Sequence, residues 1–333
     1  MQNSLILLRN SLREARDKQQ RQLYDDREVR QIIDLLLEEV CGLTRVDRIM
    51  HPDLKIADEQ RTRLVQVAHQ LSQGVTVQQA LGYAWFHGAR FTVTPDVLIP
   101  RPETAELIDW ILQDYPSGSA HAINDAPSAS PVRILDIGTG SGIIAITLAR
   151  LIHNSTVWAC DISTAALSVA FNNACQQGVD NVQFAQIDIL AAVDKFSDQQ
   201  LFNKFSTAYP PPDVENPVDE MPDLSTPCQQ LDVIVSNPPY IAHREAAEMS
   251  DLVLDHEPSL ALFVSDEDPL LFYRAIGHFA LRHLSPHGAL YFEINAAYGA
   301  ETRDLLLSLG FTHVELRQDV TGRDRMIKAY LDS

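Results

Sequence analysis

No stretch of the 333-residue chain approaches the ~18 consecutive apolar residues that a membrane-spanning helix needs, so no transmembrane segment is expected. The opening run SLILLRNSLREAR is also too short in apolar residues for a secretory core, which takes roughly 7–15. A cytoplasmic location follows as the expectation. Cysteine is scarce: Cys41, Cys160, Cys175 and Cys228 stand far apart, with no Cys-x-x-Cys pair and no histidine at zinc-ligand spacing. They read as ordinary reduced thiols. The 11 histidines include no His-x-x-x-His or His-Glu-x-x-His pair, so no metal site is expected. Positive charge is outnumbered, 26 Lys and Arg standing against 45 Asp and Glu. A net charge of −19, with no cluster of Lys and Arg, argues against nucleic acid as the main partner, because phosphate neutralisation supplies most of the affinity in such complexes.

What is present suffices for two domains, with 45% hydrophobic residues to build a core in each. Residues 1–84 read as a small all-α domain. Val29, Ile32, Ile33, Leu36 and Val40 fall on one helical stripe, and Leu64, Val67, Ala68 and Leu71 repeat the spacing. Such a domain either packs on itself or recognises a partner. Periodicity does not separate the two, and substrate recognition is the working assignment. Residues 85–100 then read as a β-hairpin linker. Phe91 and Val93 form one expected strand and Val97-Leu98-Ile99 the other, around Thr94-Pro95-Asp96. A helix from Thr104 follows.

From residue 101 to 333 strand and helix alternate, the signature of a mostly parallel sheet covered on both faces. VRILDI, TVWACD, NVQFAQID and LDVIVSN read as parallel strands; HGALYFEI, HVELR and RMIKAYL complete the sheet, and the short connections of the last ones predict antiparallel pairing. Two stretches interrupt the pattern. Residues 116–131 are rich in Ala, Ser and Pro and read as a flexible loop. Residues 193–230 hold six of the 18 prolines with many Asp and Glu, and read as a mobile acidic insertion.

Three features stand at the carboxyl ends of successive strands, where open α/β sheets bind ligands. The first is the turn Asp136-Ile137-Gly138-Thr139-Gly140-Ser141-Gly142. A dinucleotide fold asks for G-x-G-x-x-G; here the spacing is G-x-G-x-G and Ile143 follows, which weighs against a nicotinamide cofactor. The second is Asp161, placed to accept both hydroxyls of a ribose or simply to cap the following helix. The third is Asp188, within reach of an adenine amino group or merely solvated.

The fourth strand ends in Asn237-Pro238-Pro239-Tyr240. Proline donates nothing to a ladder, so pairing stops there, and two fixed φ angles hold Asn237 and Tyr240 in a rigid relation. An amide or exocyclic amine is a weak nucleophile because its lone pair is delocalised. Asn-Pro-Pro-Tyr resembles the signature of methyltransferases that act on such planar nitrogens. That resemblance implies that the Asn237 side-chain oxygen and the Pro238 carbonyl accept the two N–H hydrogens and hold the nitrogen in line with the methyl group. Tyr240 is placed to stack on the planar group.

These motifs resemble the release-factor glutamine N5-methyltransferases, the HemK or PrmC type, over roughly residues 29–331. The most specific pieces are Phe91-x-Val93 with Val97-Leu98-Ile99-Pro100-Arg101-Pro102-Glu103-Thr104, then Asp136 to Gly142, then Asn237 to Tyr240. Glu257-Pro258, Phe272-Tyr273 and Gly322-Arg323-Asp324-Arg325 also fit. The resemblance implies a Rossmann-like class I methyltransferase domain with a seven-stranded sheet. It also implies S-adenosylmethionine as methyl donor and the glutamine of the Gly-Gly-Gln motif in peptide chain release factors as acceptor. Gly138, Thr139, Gly140, Ser141, Gly142, Asp161, Asp188 and Asn237 would hold the cofactor; Asn237, Pro238, Pro239 and Tyr240 would hold the glutamine. A monomer is the expected state. The chain departs from the family in Val264-Ser265-Asp266-Glu267-Asp268-Pro269, where Gly-Gly-x-Asp-Gly is usual, and in Ile294-Asn295 after Glu293, where Gly is usual. Arg101 and Glu103 either line the site or form an ion pair that fixes the linker, and Glu257 anchors a loop on the same reasoning. Methylation of a ribosomal-protein glutamine and of adenine N6 in nucleic acid remain alternatives with the same motif logic. The second needs a basic surface this chain lacks. A non-catalytic cofactor-binding protein would be expected to have lost one of the four motifs.

Overall fold

A computed structural model describes residues 2–16, 22–51, 54–116, 130–195, 204–205 and 230–332. The chain divides into two compact units, Met1–Ala84 with Glu248–Glu257, and Trp85–Ala247 with Pro258–Ser333.

The first unit is helical, with helices Gln2–Glu14, Asp26–Cys41, Arg45–Met50, Asp58–Ser72 and Val77–Leu81. Local chemistry sets their ends. Asp25 accepts from the N–H groups of Arg27 and Glu28, and the Glu28 carboxylate reaches back to the Asp25 N–H, a reciprocal cap. Gly42 closes the same helix in the left-handed region at φ 66°. Val29, Ile33 and Leu36 are buried as the stripe predicts, but Leu37 joins them while Ile32 and Val40 are only half-buried. The stripe is rotated because 3.6 residues per turn moves the buried face toward Leu37, which meets Leu8, Leu12, Leu64 and Leu71 in one cluster. Helix Asp251–His256 also belongs to this unit, and the Gln79 side-chain amide donates to the His256 carbonyl. Nothing in the periodicity of residues 1–84 announces that excursion.

In the connector the strands lie elsewhere than expected. β1 (Tyr83–Phe86) pairs with β2 (Ala89–Thr92), turning at His87 and Gly88. Both turn residues have positive φ, 47° and 73°, as a two-residue hairpin loop matched to strand twist requires. Val97 and Ile99 are buried without forming a strand. Pro95 and Pro100 flank them and cannot donate to a ladder. The next helix runs Pro102–Asp114, starting earlier than Thr104 because Pro102 occupies its first turn, where no N–H is needed.

Seven strands form the main sheet: β3 (Val132–Ile137), β4 (Ser155–Asp161), β5 (Val182–Gln186), β6 (Leu231–Ser236), β9 (Leu284–Glu293), β10 (His313–Gln318) and β11 (Asp324–Tyr330). A short parallel pair, β7 (Ile241–Ala242) and β8 (Phe263–Val264), lies outside it. The order is β10-β11-β9-β6-β3-β4-β5. Strands β9, β6, β3, β4 and β5 are parallel, and β11 runs antiparallel to both β9 and β10. The chain therefore moves outward from β3 to β5 and crosses back to β6 on the other side of β3. That reversal opens a crevice at the carboxyl ends of β3 and β6. Helices cover both faces over two apolar clusters, one including Trp110 and Tyr291, the other Trp158 and Phe292.

Residues 117–129 of the expected loop lie outside the described residues, as do 196–203 and 206–229 of the expected insertion. The insertion does not read as mobile throughout. Helix Ile189–Lys195 runs into it, and Phe205 is fully buried in the cluster that holds Trp158, Ala192 and Phe279. An aromatic ring gains more from burial than the surrounding acidic, proline-rich composition suggests.

Candidate active site

At the crevice lies a cavity of about 260 Å³. The glycine turn, Asp161, Asp188 and Ser236 to Pro239 line it, together with Arg101, Thr104 and Pro258. The sequence-predicted residues thus converge, with two exceptions: Gly142 and Tyr240 are not among those lining the cavity. Glu103 is not either, whereas Arg101 is. Glu257 is buried in the first unit at the end of its helix.

The glycine turn is built for close approach. Gly138, Gly140 and Gly142 have φ of 75°, 56° and 82°, a region costly for other residues. A Cβ at Gly138 or Gly140 would meet nothing within 4 Å, so these two present bare backbone to open space. A Cβ at Gly142 would meet Ile146 Cδ1 at 2.7 Å and Ala170 Cβ at 3.1 Å, so this glycine lets the following helix pack. The Gly138 and Thr139 N–H groups donate to the Cys160 carbonyl at 2.8 and 3.0 Å, binding the turn to β4. Asn173, fully buried and unforeseen in the sequence, donates to the Ser141 and Thr92 carbonyls and accepts the Thr92 N–H. Its three bonds fix the turn and hairpin together.

Two carboxylates flank the turn. Asp161 accepts the Gly140 N–H and the Ser163 N–H, both at 2.9 Å. Burial raises its pKa, and these N–H groups oppose the rise. Each oxygen keeps a further lone pair for a ligand hydroxyl. Asp136 is fully buried with a pKa pushed up to about 7, chiefly by desolvation. Its Oδ2 accepts from the Thr139 hydroxyl at 2.6 Å and the Ala145 N–H at 3.2 Å, and its Oδ1 has no partner among the described residues. Asp188 lies beyond β5, exposed, and caps the next helix by accepting the Leu190 N–H at 3.0 Å. Capping leaves it on the cavity wall with an oxygen to spare.

On the other side, the Ser236 hydroxyl donates to the Ile137 carbonyl at 2.6 Å and ties the end of β6 to β3. Behind Asn237 stands a polar cluster invisible to motif reading. Glu293, at the end of β9 and 1% exposed, accepts the Thr104 hydroxyl at 2.6 Å and the Tyr240 hydroxyl at 3.2 Å. Burial raises the Glu293 pKa; the Thr104 bond, Arg325 and Tyr240 pull it down. Burial likewise raises the Tyr240 phenol, with Glu293 adding to it. The Asn237 side-chain N–H donates to Thr104 Oγ1 at 3.4 Å. The Tyr240 carbonyl accepts from Asn295 Nδ2 at 3.1 Å, so the departure at Asn295 clamps the end of the Asn-Pro-Pro-Tyr segment. An acid inside the apolar run LYFEI was the available signal for Glu293.

No helix among the described residues is long and apolar enough to cross a membrane, and none of their His, Cys, Asp and Glu side chains form a group that could hold a metal ion.

Comparison with known proteins bears on both units. Residues 12–82 match the PrmC N-terminal domain and residues 128–263 match a methyltransferase domain family. The chain is 39% identical over 306 residues to a release factor glutamine methyltransferase of Flavobacterium psychrophilum, covering 92% of this chain and 93% of that one. It is 36% identical over 308 residues to the protein of the same name from Bacteroides thetaiotaomicron, covering 92% and 94%. The Lactococcus lactis protein of that name is 36% identical over 275 residues, covering 82% and 84%.

Proposed function

The chain belongs to the release factor glutamine methyltransferase family, and on that premise we propose that it methylates the side-chain amide nitrogen of the glutamine in the Gly-Gly-Gln motif of peptide chain release factors. The cofactor is S-adenosyl-L-methionine. The residues present suit it: bare glycine backbone at Gly138 and Gly140, a carboxylate at Asp161 for vicinal hydroxyls, and Asp188 on the wall beyond. When bound it supplies a methyl group on a positively charged sulfur.

The observation that carries the reading is the state of Asn237. It lines the cavity with its N–H end bonded to Thr104, so its oxygen is the end left for a ligand. That oxygen accepts one N–H of the glutamine amide, and the Pro238 carbonyl accepts the other. The nitrogen lone pair is then aimed at the methyl group, a positioning effect able to offset much of the barrier. No general base is required, because the nitrogen sheds its proton readily once it carries the new bond. Pro238 and Pro239 keep the two acceptors rigid. Tyr240 supports the segment through Glu293 rather than by stacking on the amide.

The acidic charge supports a protein acceptor over nucleic acid, and we assign the reaction to a cytoplasmic monomer. The test incubates the protein with methyl-labelled S-adenosylmethionine and a release factor, a ribosomal protein fraction or DNA in parallel. Label on the Gly-Gly-Gln glutamine, located by mass spectrometry, is the expected result. Label confined to either other acceptor overturns the assignment.

A further inference from the structure

The geometry points to Thr104 and Glu293 as positioning residues that dictate which end of the Asn237 amide faces the substrate. Hydrogen-bond direction gives the reason. Both Glu293 oxygens accept a hydroxyl proton, one from Tyr240 and the other the single proton of Thr104, at 2.6 Å. Thr104 Oγ1 then has lone pairs but no proton to offer Asn237. The Asn237 side chain, 3.4 Å away, must turn its N–H end to Thr104, which leaves Oδ1 on the cavity side. With no such chain nothing holds the asparagine amide in the productive sense: the reversed orientation presents a donor to a substrate amide that also donates, and the side chain is free to swing out of line. The 3.4 Å separation is long, as hydrogen bonds at catalytic sites often are before substrate is bound.

Two further contacts keep the chain in this sense. The Tyr240 hydroxyl donates to the other Glu293 oxygen, and the positive charge of Arg325 favours the ionised carboxylate. Residues from the helix Pro102–Asp114, the end of β6, the end of β9 and β11 therefore meet at one buried acid. They lie far apart in sequence, which is why a motif search does not collect them.

The inference rests on the proposed glutamine transfer, and the experiment separates the two. Thr104→Val keeps the shape and removes the hydroxyl; Thr104→Ser keeps the hydroxyl. For Thr104→Val we expect kcat to fall on the order of tenfold or more, with cofactor affinity by calorimetry and thermal midpoint little changed. Thr104→Ser restores most of the rate. In parallel, the side-chain amide signals of ¹⁵N-asparagine-labelled protein are recorded, with the Asn237 pair assigned by its loss in Asn237→Ala. One Asn237 proton should lose its hydrogen-bonded shift in Thr104→Val and regain it in Thr104→Ser. An unchanged Asn237 amide in Thr104→Val overturns the inference, as does a serine variant as slow as the valine one. If the wild type itself transfers no methyl group to a release factor, the proposed function fails while the amide spectrum still decides the role of Thr104.

Discussion

The Asp161 carboxylate accepts the backbone N–H of Gly140 at 2.9 Å, joining the glycine turn to the end of the neighbouring strand. The two motifs are therefore one mechanical piece. Asp161→Ala removes an acceptor for ligand hydroxyls and also releases the Gly140 and Ser163 N–H groups. Each hydrogen bond to a charged group contributes roughly 1.5–3 kcal/mol, so loss of two such bonds should lower cofactor affinity by about two to four orders of magnitude. Calorimetry with S-adenosylmethionine checks it, and unchanged affinity refutes the assignment.

Asn237→Ala should lower methyl transfer on the order of 10²-fold or more while sparing the fold and most cofactor affinity. Asn237→Asp is the sharper comparison. It retains an acceptor but places a charge beside Thr104 where an N–H now donates. Single-turnover rates with a release factor measure both, and a near-wild-type rate in the alanine variant would reduce the segment to a turn.

Asp136 sets a pH dependence of stability. Its folded pKa of about 7 stands above the ordinary 3.8, so the folded state holds the proton more tightly than the unfolded chain. The contribution is full below about pH 4 and is lost as pH rises through about 7. Asp136→Asn cannot titrate. The thermal midpoint of wild type minus that of Asp136→Asn should therefore decline from pH 5 to pH 8. A flat difference across that range contradicts the raised pKa.

Phe205 should matter although its neighbours in sequence look expendable. Truncating a fully buried phenylalanine costs about 3–5 kcal/mol, so Phe205→Ala should shift the urea midpoint strongly. Replacing residues 206–226 with a short Gly/Ser linker should change it far less, since loop length enters stability only logarithmically. Equal losses in the two variants would refute the anchor role.

Most of the cavity wall was legible in the sequence because that wall is local. Strand-end position and glycine spacing are written in contiguous residues, and Gly138 to Ser141, Asp161 and Asn237 meet at one cavity. The parallel sheet was legible for a like reason, from the alternation of apolar strands with amphipathic helices. The hairpin is displaced from its expected place because Val97 and Ile99 are buried with a strand-like rhythm, while the turn that forms is His87-Gly88, both at positive φ. Thr104, Asn173, Glu293 and Asn295 escaped because their roles lie in long-range pairing. Thr104 and Glu293 are 189 positions apart, and no spacing rule joins them. Phe205 escaped because composition averages over a segment and one ring does not change the average.

The position of β11 has a consequence for how the protein is made. It is the last strand among the described residues, yet it lies between β9 and β10, both synthesised earlier. Synthesis runs from the N-terminus, so a growing chain displays the open edge of β9 until Asp324–Tyr330 arrives, and an open edge invites pairing with other chains. Arg325 arrives on that strand too, and its charge is one of the influences that pull the Glu293 pKa down. A chain halted upstream of Asp324 therefore keeps the β9 edge open and lacks the Arg325 charge that draws the Glu293 pKa down.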